Sequence, residues 1–237
     1  MTQVRRTAGA GASSGAARYP ARAAFKTLLV NEMYPAIQGE GPEQGYPTVL
    51  VRLTGCNLRC GYCDSAHAYY RGSRRAIGDV AADVAAFGIR RVLVTGGEPL
   101  AQSGTPALCR ALLRRGHAVS VETNGSYDLS ALPRGVRKVV DVKTPGSGEE
   151  GSFDAGILGQ ISRGDVLKFV CTGREDYLWA RRFLEGPGSG RRAGVVLMPA
   201  WSELEARDLA RWVLEDRLPV RVQVQLHKLL WGERRGV

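Results

Sequence analysis

The sequence lacks the features that mark membrane-spanning, secreted and disulfide-built proteins. No stretch of about 18 consecutive apolar residues occurs, so we expect no transmembrane span. No apolar segment follows the arginines near the amino terminus, which argues against a secretory signal. Cysteine is scarce, with five in 237 residues, and three of these fall in one short loop. This usage argues against a disulfide framework and fits a reducing, cytoplasmic compartment and a metal site.

The excess of basic residues is concentrated near the amino terminus. Lysine and arginine total 33 against 23 aspartates and glutamates, a formal net charge of +10. Five basic residues and no acid lie within residues 1–30, so half of the excess belongs to this stretch. Because aromatic residues do not interleave with the basic runs, the charge does not favour nucleic-acid binding. Residues 1–24 predict a disordered basic tail ahead of a domain spanning residues 25–237.

Apolar, β-branched runs alternate with helical periodicity from residue 27 onward. Strands are predicted at 28–34, 48–54, 91–95, 117–123, 136–142, 165–171, 194–198 and 219–226. Helices are predicted at 76–87, 105–115, 174–185 and 202–217, the last opened by a capping box of Ser202 and Glu205. This alternation indicates parallel βα units. Because the domain is shorter than the about 250 residues of a closed eightfold barrel, we predict the α/β class and a partial, open βα barrel.

Each polar motif of the domain lies at the end of a predicted strand. The cysteine loop, defined as residues 55–65, follows the strand at 48–54. Three more motifs occupy strand ends: Gly96-Gly97-Glu98, Glu122-Thr123-Asn124 and Asp141-Val142-Lys143. The carboxyl ends of the strands in a βα barrel share the face that carries the active site. We therefore expect these motifs to converge on one rim.

Cys56, Cys60 and Cys63 form a C-x3-C-x2-C pattern in the cysteine loop. A [4Fe–4S] cluster held by three thiolates has one iron without a protein ligand, and an open position is typical of a catalytic metal site. The alternatives are unrelated buried cysteines or a structural zinc site, for which His67 would be a cramped fourth ligand. The spacing resembles that of radical S-adenosylmethionine (SAM) enzymes, whose open iron chelates the amino and carboxylate groups of SAM.

The same resemblance gives roles to residues at the other strand ends. In radical SAM enzymes a Gly-Gly-Glu segment, one βα unit after the cysteines, holds the SAM amino group, and an aromatic residue between the last two cysteines lies near the adenine. Each segment alone would be explained equally well by a turn, by packing or by a solvated charge. The residues that the resemblance assigns to SAM are Tyr62, Gly96, Gly97, Glu98, Glu122, Thr123, Asn124 and Lys143.

Two further segments resemble the 7-carboxy-7-deazaguanine synthase family. Residues 32–65 and residues 225–232 are similar to the beginning and the ending of that family. The resemblance implies a radical SAM lyase that converts 6-carboxy-5,6,7,8-tetrahydropterin to 7-carboxy-7-deazaguanine with loss of ammonia, a step toward queuosine-type deazapurines. In the family, a 5′-deoxyadenosyl radical takes a hydrogen from C6 of the pterin and SAM is regenerated afterwards.

The family resemblance also implies a substrate pocket. Glu40 would accept hydrogen bonds from the amino-pyrimidinone edge of the pterin, Arg52 would meet its carboxylate as a fork donor, and His227 would complete the pocket. Gln38 and Gly39 belong to the same substrate-binding motif as Glu40.

Further expectations concern cofactors and partners. The family uses Mg²⁺, held in part by a hydroxyl residue two positions after the last cysteine, which is Ser65 here where threonine is commoner. It also implies a homodimer and a flavodoxin- or ferredoxin-type reductant. Residues 233–237 extend beyond the matched ending, so no role for them follows from the resemblance. Outside the cysteine loop, Cys109 and Cys171 are predicted to be small buried hydrophobes.

Two other functions remain open from the residues alone. Another radical SAM reaction, such as activation of a glycyl-radical enzyme, would share the cysteine and Gly-Gly-Glu motifs but leaves the segments at 38–41 and 225–228 without explanation. A non-catalytic zinc- or cluster-binding module that contacts RNA through residues 1–24 would have no affinity for SAM and would lose its function when that tail is removed.

Overall fold

A computed structural model describes residues 26–190 and 192–237. The predicted tail at 1–24 therefore lies outside the described residues. Across the described part of the chain, nine strands form a single sheet. The strands are β1 (Thr27–Ile37), β2 (Pro47–Leu53), β3 (Ser73–Ala76), β4 (Arg91–Gly96), β5 (Ala118–Thr123), β6 (Arg137–Asp141), β7 (Val166–Cys171), β8 (Gly194–Pro199) and β9 (Arg221–Val222).

The helices pack their apolar stripes against the sheet. In the described residues they are α1 (Ile77–Ala86), α2 (Thr105–Arg114), α3 (Arg174–Glu185), α4 (Ala206–Glu215) and α5 (Leu226–Trp231). On α4, for example, Leu209 and Val213 are buried one turn apart, as expected for a helix with one face on a core. Cys109 on α2 and Cys171 at the end of β7 are both fully buried, as predicted. No described helix is long and apolar enough to cross a membrane.

The sheet is mostly parallel and does not close. Its strand order is β3-β1-β2-β4-β5-β6-β7-β8-β9, and every pair from β2 to β9 is parallel. Among the described strands, the antiparallel pairs are those of β1 with β2 and of β1 with β3, at one edge of the sheet. Because the edge strands β3 and β9 do not pair with each other, the predicted partial, open βα barrel is confirmed. The polar motifs follow β2, β4, β5 and β6, so they share the carboxyl-terminal rim as expected.

The secondary-structure prediction is wrong in three places. Helix α4 begins at Ala206 rather than residue 202, and Ser202 is no helix cap because its φ of 66° is left-handed. The amide groups of Glu203 and Leu204 instead bond to the carbonyl of Ala200, which makes a turn directly after β8. The strand predicted at 219–226 is reduced to the two residues of β9 and is followed by α5, and β3 was not predicted.

The chain leaves the sheet after β9 because it bonds to the loop between β1 and β2. We call residues 38–46 the floor loop. The side-chain amide of Gln223 accepts from the Gly41 N–H at 2.9 Å and donates to the Gly41 carbonyl at 2.8 Å. The Leu226 N–H donates to the Gly39 carbonyl at 3.0 Å. These bonds connect the loop between β1 and β2 to the segment after β9, although no strand pairing among the described residues joins the two edges of the open sheet.

The floor loop lies across the amino-terminal ends of the parallel strands. The Glu43 carboxylate is 2.8 Å from Arg137 and 3.5 Å from Arg91, the residues at which β6 and β4 begin. Gly41 faces Val139 of β6 and has a φ of 72°, a conformation that favours glycine. The loop therefore seals the barrel from below and leaves its interior open at the opposite rim.

We predict that Gln223→Ala destabilises the protein by about 1–3 kcal/mol, because it leaves the buried N–H and carbonyl of Gly41 without their partner. Urea denaturation of the reduced protein measures this change. Arg207→Ala, at an exposed position on α4, should stay within about 0.5 kcal/mol of wild type. Equal effects of the two substitutions would contradict the role given to Gln223.

Candidate active site

A cavity of about 280 Å³ opens at the carboxyl-terminal rim and reaches down to the floor loop. Sixteen of the seventeen residues predicted for the site line it, and Glu98 is the exception. The lining residues that were predicted are Gln38, Gly39, Glu40, Arg52, Cys56, Cys60, Tyr62, Cys63, Ser65, Gly96, Gly97, Glu122, Thr123, Asn124, Lys143 and His227. The floor loop thus brings the first motif of the domain into contact with motifs that follow it by more than a hundred residues.

The three thiols of the cysteine loop are free, half-buried and exposed to this cavity. Burial raises the pKa of Cys56 and of Cys60, so their thiolates need a compensating positive charge. The Leu58 N–H already points at the Cys56 sulfur, 3.4 Å away, as a donor to a thiolate would. A bound metal centre supplies the charge that deprotonates these ligands.

The ligand set of the cysteine loop fits a cluster better than a single zinc ion. A structural zinc site has four protein ligands, whereas the loop offers three thiols. His67, the fourth zinc ligand considered above, instead has its Nε2 3.2 Å from Glu32 and does not line the cavity. The donor set therefore suits a larger, multi-iron centre.

Gly96 and Gly97 let the end of β4 pack against the base of the cysteine loop. A Cβ atom at Gly96 would overlap the backbone of Leu53, and one at Gly97 would overlap the Gly55 carbonyl and the Cys56 side chain. The Glu98 N–H completes this contact with a 2.7 Å bond to the Gly55 carbonyl. The two glycines are therefore required by the packing as well as by the close approach of a ligand.

Glu98 lies behind the cavity wall rather than on its surface. Its carboxylate accepts from the Leu100 N–H at 2.8 Å, the Thr123 hydroxyl at 2.8 Å and the Asn124 N–H at 2.7 Å. Burial raises its pKa to about 7, although these three bonds favour the ionised form. The side chain thus fixes Thr123 and Asn124 at the end of β5, and the assignment of Glu98 to SAM stays a prediction.

Two buried polar atoms on the cavity wall lack a partner in the described structure. They are the Tyr62 hydroxyl and Oδ1 of Asp141. Asp141 uses its other oxygen to accept from Lys143 Nζ at 2.9 Å, and that ammonium lies 5.6 Å from the centre of the Tyr62 ring. Buried polar groups in native proteins almost always have partners. These atoms therefore mark where a polar ligand would bind between Tyr62 and the end of β6.

Arg52 lies in a polar network on the opposite wall. Its Nε donates to Glu32 at 2.6 Å, and its Nη1 donates to the Ser65 hydroxyl at 2.9 Å. Ser65 in turn donates to Asp64 at 2.9 Å. The guanidinium has five N–H groups, so it keeps donors free for an anionic ligand while these bonds hold its plane. Arg52 lines the cavity, and its role toward the substrate stays a prediction.

At the bottom of the cavity, Gln225 and His227 contact the floor loop, to which Glu40 belongs. Gln225 donates to Glu40 at 2.8 Å and to Asp64 at 3.1 Å. The ring of His227 lies directly against Gly39, and a Cβ atom at that glycine would overlap the ring. The side chains predicted for substrate binding therefore do meet in space, although they come from opposite ends of the chain.

Lys168 is a cavity residue that the sequence analysis missed. It lies on β7 and is only 5% exposed, and its ammonium pairs with Glu40 at 2.8 Å, with Glu122, and with Asp141 at 3.4 Å. Burial alone would lower its pKa, but the three carboxylates outweigh burial and raise that pKa well above its usual value. The sequence signal was a lysine in the middle of an otherwise apolar buried strand, where an unpaired charge is rarely tolerated.

Comparisons with known proteins agree with this geometry. Residues 50–143 match the model of the Radical SAM superfamily, whose members hold a [4Fe–4S] cluster and SAM. In three dimensions the chain resembles the crystal structure of QueE from Escherichia coli, with a TM-score of 0.70, 20% identity and coverage of 85% of this chain and 95% of that one. At this level of identity the structural likeness establishes the fold.

Two curated relatives cover nearly the whole domain. The 7-carboxy-7-deazaguanine synthase of Chlorobaculum tepidum is 39% identical over 214 residues, which is 89% of this chain and 97% of the relative. The synthase of the same name from Koribacter versatilis is 39% identical over 229 residues, covering 89% of this chain and all of the relative. The cysteine loop, the cavity and these two relatives together show that the chain belongs to the 7-carboxy-7-deazaguanine synthase family of the radical SAM superfamily.

Proposed function

We propose that this protein is a radical SAM lyase that converts 6-carboxy-5,6,7,8-tetrahydropterin to 7-carboxy-7-deazaguanine with loss of ammonia. The observation that carries the proposal is the cavity itself. The three cysteines, Gly96 and Gly97 line it together with Glu40, Arg52 and His227. One cavity thus offers positions for a cluster, for SAM and for a small acid with several N–H donors.

The chain supplies binding and orientation, while the cofactors supply the difficult chemistry. When bound, the cluster and SAM provide the radical chemistry that removes a hydrogen atom from the substrate. Cys56, Cys60 and Cys63 would hold the cluster as its three thiolate ligands. Lys143 offers a positive charge to the SAM carboxylate, and the Tyr62 hydroxyl, buried and unpaired among the described residues, offers a donor nearby.

The substrate is oriented by groups of opposite character at its two ends. Glu40 accepts hydrogen bonds from the amino-pyrimidinone edge, where adjacent N–H donors match a carboxylate. Arg52 binds the substrate carboxylate with the N–H groups that its three described bonds leave free. The floor loop excludes water from below, so these charged contacts act in a medium of low dielectric constant.

Several finer features of this function extend the same proposal. Mg²⁺ would be held in part by the Ser65 hydroxyl, and Asp64, which accepts a bond from that hydroxyl, offers a second oxygen ligand of the kind a hard cation prefers. A flavodoxin or ferredoxin would reduce the cluster, and the enzyme would act as a homodimer in the cytoplasm. Residues 25–237 would form the catalytic domain, with residues 1–24 a basic tail.

Replacement of Cys63 by alanine should remove one cluster ligand and abolish product formation. Anaerobic reconstitution, iron and sulfide analysis and mass spectrometry of the product check this outcome. Cys109→Ala is the matched control, because that cysteine is buried in α2 away from the cavity and the variant should keep both cluster and turnover. Full turnover by Cys63→Ala would exclude a role for the cysteine loop in the reaction.

Gly39→Ala should raise KM for the pterin by about tenfold or more, because the new methyl group displaces the His227 ring. SAM binding should change little, since Gly39 is on the floor loop and not beside the cysteines. Gly78→Ala places the same methyl group in open space on α1 and should leave kinetics unchanged. If both variants behave like wild type, His227 does not depend on its contact with Gly39.

Removal of residues 1–24 should leave kcat/KM within about twofold of the full chain, because the residues proposed to bind the cluster, SAM and the pterin all lie between residues 38 and 227. Side-by-side assays of the full and shortened proteins at equal cluster content test this expectation. Loss of activity on truncation would instead favour a function that depends on the basic tail.

A further inference from the structure

Lys168 is the centre of a charge cluster made by four separate elements. Its ammonium on β7 pairs with Glu40 of the floor loop, Glu122 of β5 and Asp141 of β6. Its side chain is 6% exposed, and all four groups line the cavity. An ammonium has three N–H donors, so this one lysine has a carboxylate available for each of them.

The three carboxylates do not depend on Lys168 equally. Asp141 has a second cation, because Lys143 donates to it at 2.9 Å. Glu122 accepts a hydrogen bond from the Lys168 ammonium. Glu40 accepts one from the same ammonium and one from the neutral side-chain amide of Gln225. Removal of the Lys168 charge would therefore leave Glu40 and Glu122 facing each other without a counter-ion.

Protonation is the expected response of such an uncompensated pair. Two neighbouring buried carboxylates cannot both stay ionised at low cost, so one takes up a proton. Burial raises the pKa of Glu122 and the charge of Glu40 adds to this, while Lys168 opposes both. A protonated carboxyl is a donor, and it would meet the N–H donors of a pterin edge with the wrong polarity.

We propose that Lys168 is a positioning residue that holds Glu40 and Glu122 as oriented, ionised acceptors for the N–H donors of the substrate. This inference rests on the proposed pterin substrate and adds to it a residue that does not touch the reacting atoms. It also assigns Glu122 to the substrate side of the cavity, since Glu122 shares its cation with Glu40.

The direct test measures binding of 6-carboxytetrahydropterin to the reconstituted, SAM-loaded enzyme by anaerobic calorimetry without reductant. Lys168→Met should weaken pterin binding on the order of tenfold or more and leave SAM binding unchanged. Lys168→Arg keeps the charge and should bind better than Lys168→Met. The matched control is Lys138→Met, which breaks a half-buried ion pair with Asp165, two residues that do not line the cavity.

The pH profile separates charge compensation from simple packing. In Lys168→Met one carboxyl of the pair has a raised pKa, so binding should be weakest at low pH and recover as pH rises through that value. The groups facing Lys168 are Glu40, Glu122 and Asp141. Asp64 and His227 have side-chain atoms within 4.8 Å of the Glu40 carboxylate, and Tyr62 and Lys143 adjoin Asp141. Wild type should show a flatter profile over the same range.

The double variant Lys168→Met/Glu122→Gln provides a second test that does not depend on the stability of the single variant. It removes the Lys168 cation and the Glu122 anion together, so no carboxylate at position 122 repels Glu40. The pH dependence of pterin binding should therefore disappear. Pterin binding by Lys168→Met at wild-type strength, an equal loss in Lys138→Met, or a pH-dependent double variant would overturn the proposal. Failure of the wild-type enzyme to bind the pterin would instead overturn the proposed function.

Discussion

One buried ammonium holds together the bottom of the cavity. Lys168 reaches carboxylates from the floor loop, β5 and β6, so a single side chain ties three strands to a loop that precedes all of them in the chain. Burial of these charges is costly, and removal of one partner from such a group is far more costly than replacement of the whole group by apolar residues. The retention of charge at this depth is therefore better explained by ligand recognition than by stability.

The floor loop makes this arrangement possible in a sheet that does not close. An open barrel of parallel strands has a solvent-accessible bottom, which would fill a deep charged pocket with water. Here the bonds of Gln223 and Leu226 fasten the loop to the segment after β9, and Glu43 fastens it to the starts of β4 and β6. The same contacts bring His227 against Gly39. The contacts that cover the bottom of the open barrel therefore also assemble the substrate side of the cavity.

The arrangement of the rim could be predicted because it depends on local rules. A polar motif at the end of a buried strand lies on the carboxyl-terminal face of a parallel sheet wherever that strand stands in the order. The cysteine spacing and the Gly-Gly pair carry their chemistry in a few adjacent residues. The sequence therefore led to a cavity that Cys56, Gly96 and Lys143 do share.

The features that could not be predicted depend on contacts between distant segments. Ser202 and Glu205 match a capping box. However, the Ala200 carbonyl accepts hydrogen bonds from the Glu203 and Leu204 N–H groups, so the helix begins later in the chain. The alternating residues after Pro219 read as a strand, yet their glutamines bond to the floor loop. Lys168 was overlooked because the identity of its three partners exists only in the folded protein. The roles of the individual cavity residues remain predictions of the motif.

The central claim is that the cavity converts a carboxylated tetrahydropterin by radical SAM chemistry. The most direct measurement is anaerobic turnover of the reconstituted protein with SAM, dithionite, Mg²⁺ and 6-carboxy-5,6,7,8-tetrahydropterin, followed by mass spectrometry. We expect 7-carboxy-7-deazaguanine to form without net consumption of SAM. Cleavage of SAM to 5′-deoxyadenosine while the pterin remains intact would contradict the substrate assignment and leave the cluster assignment standing.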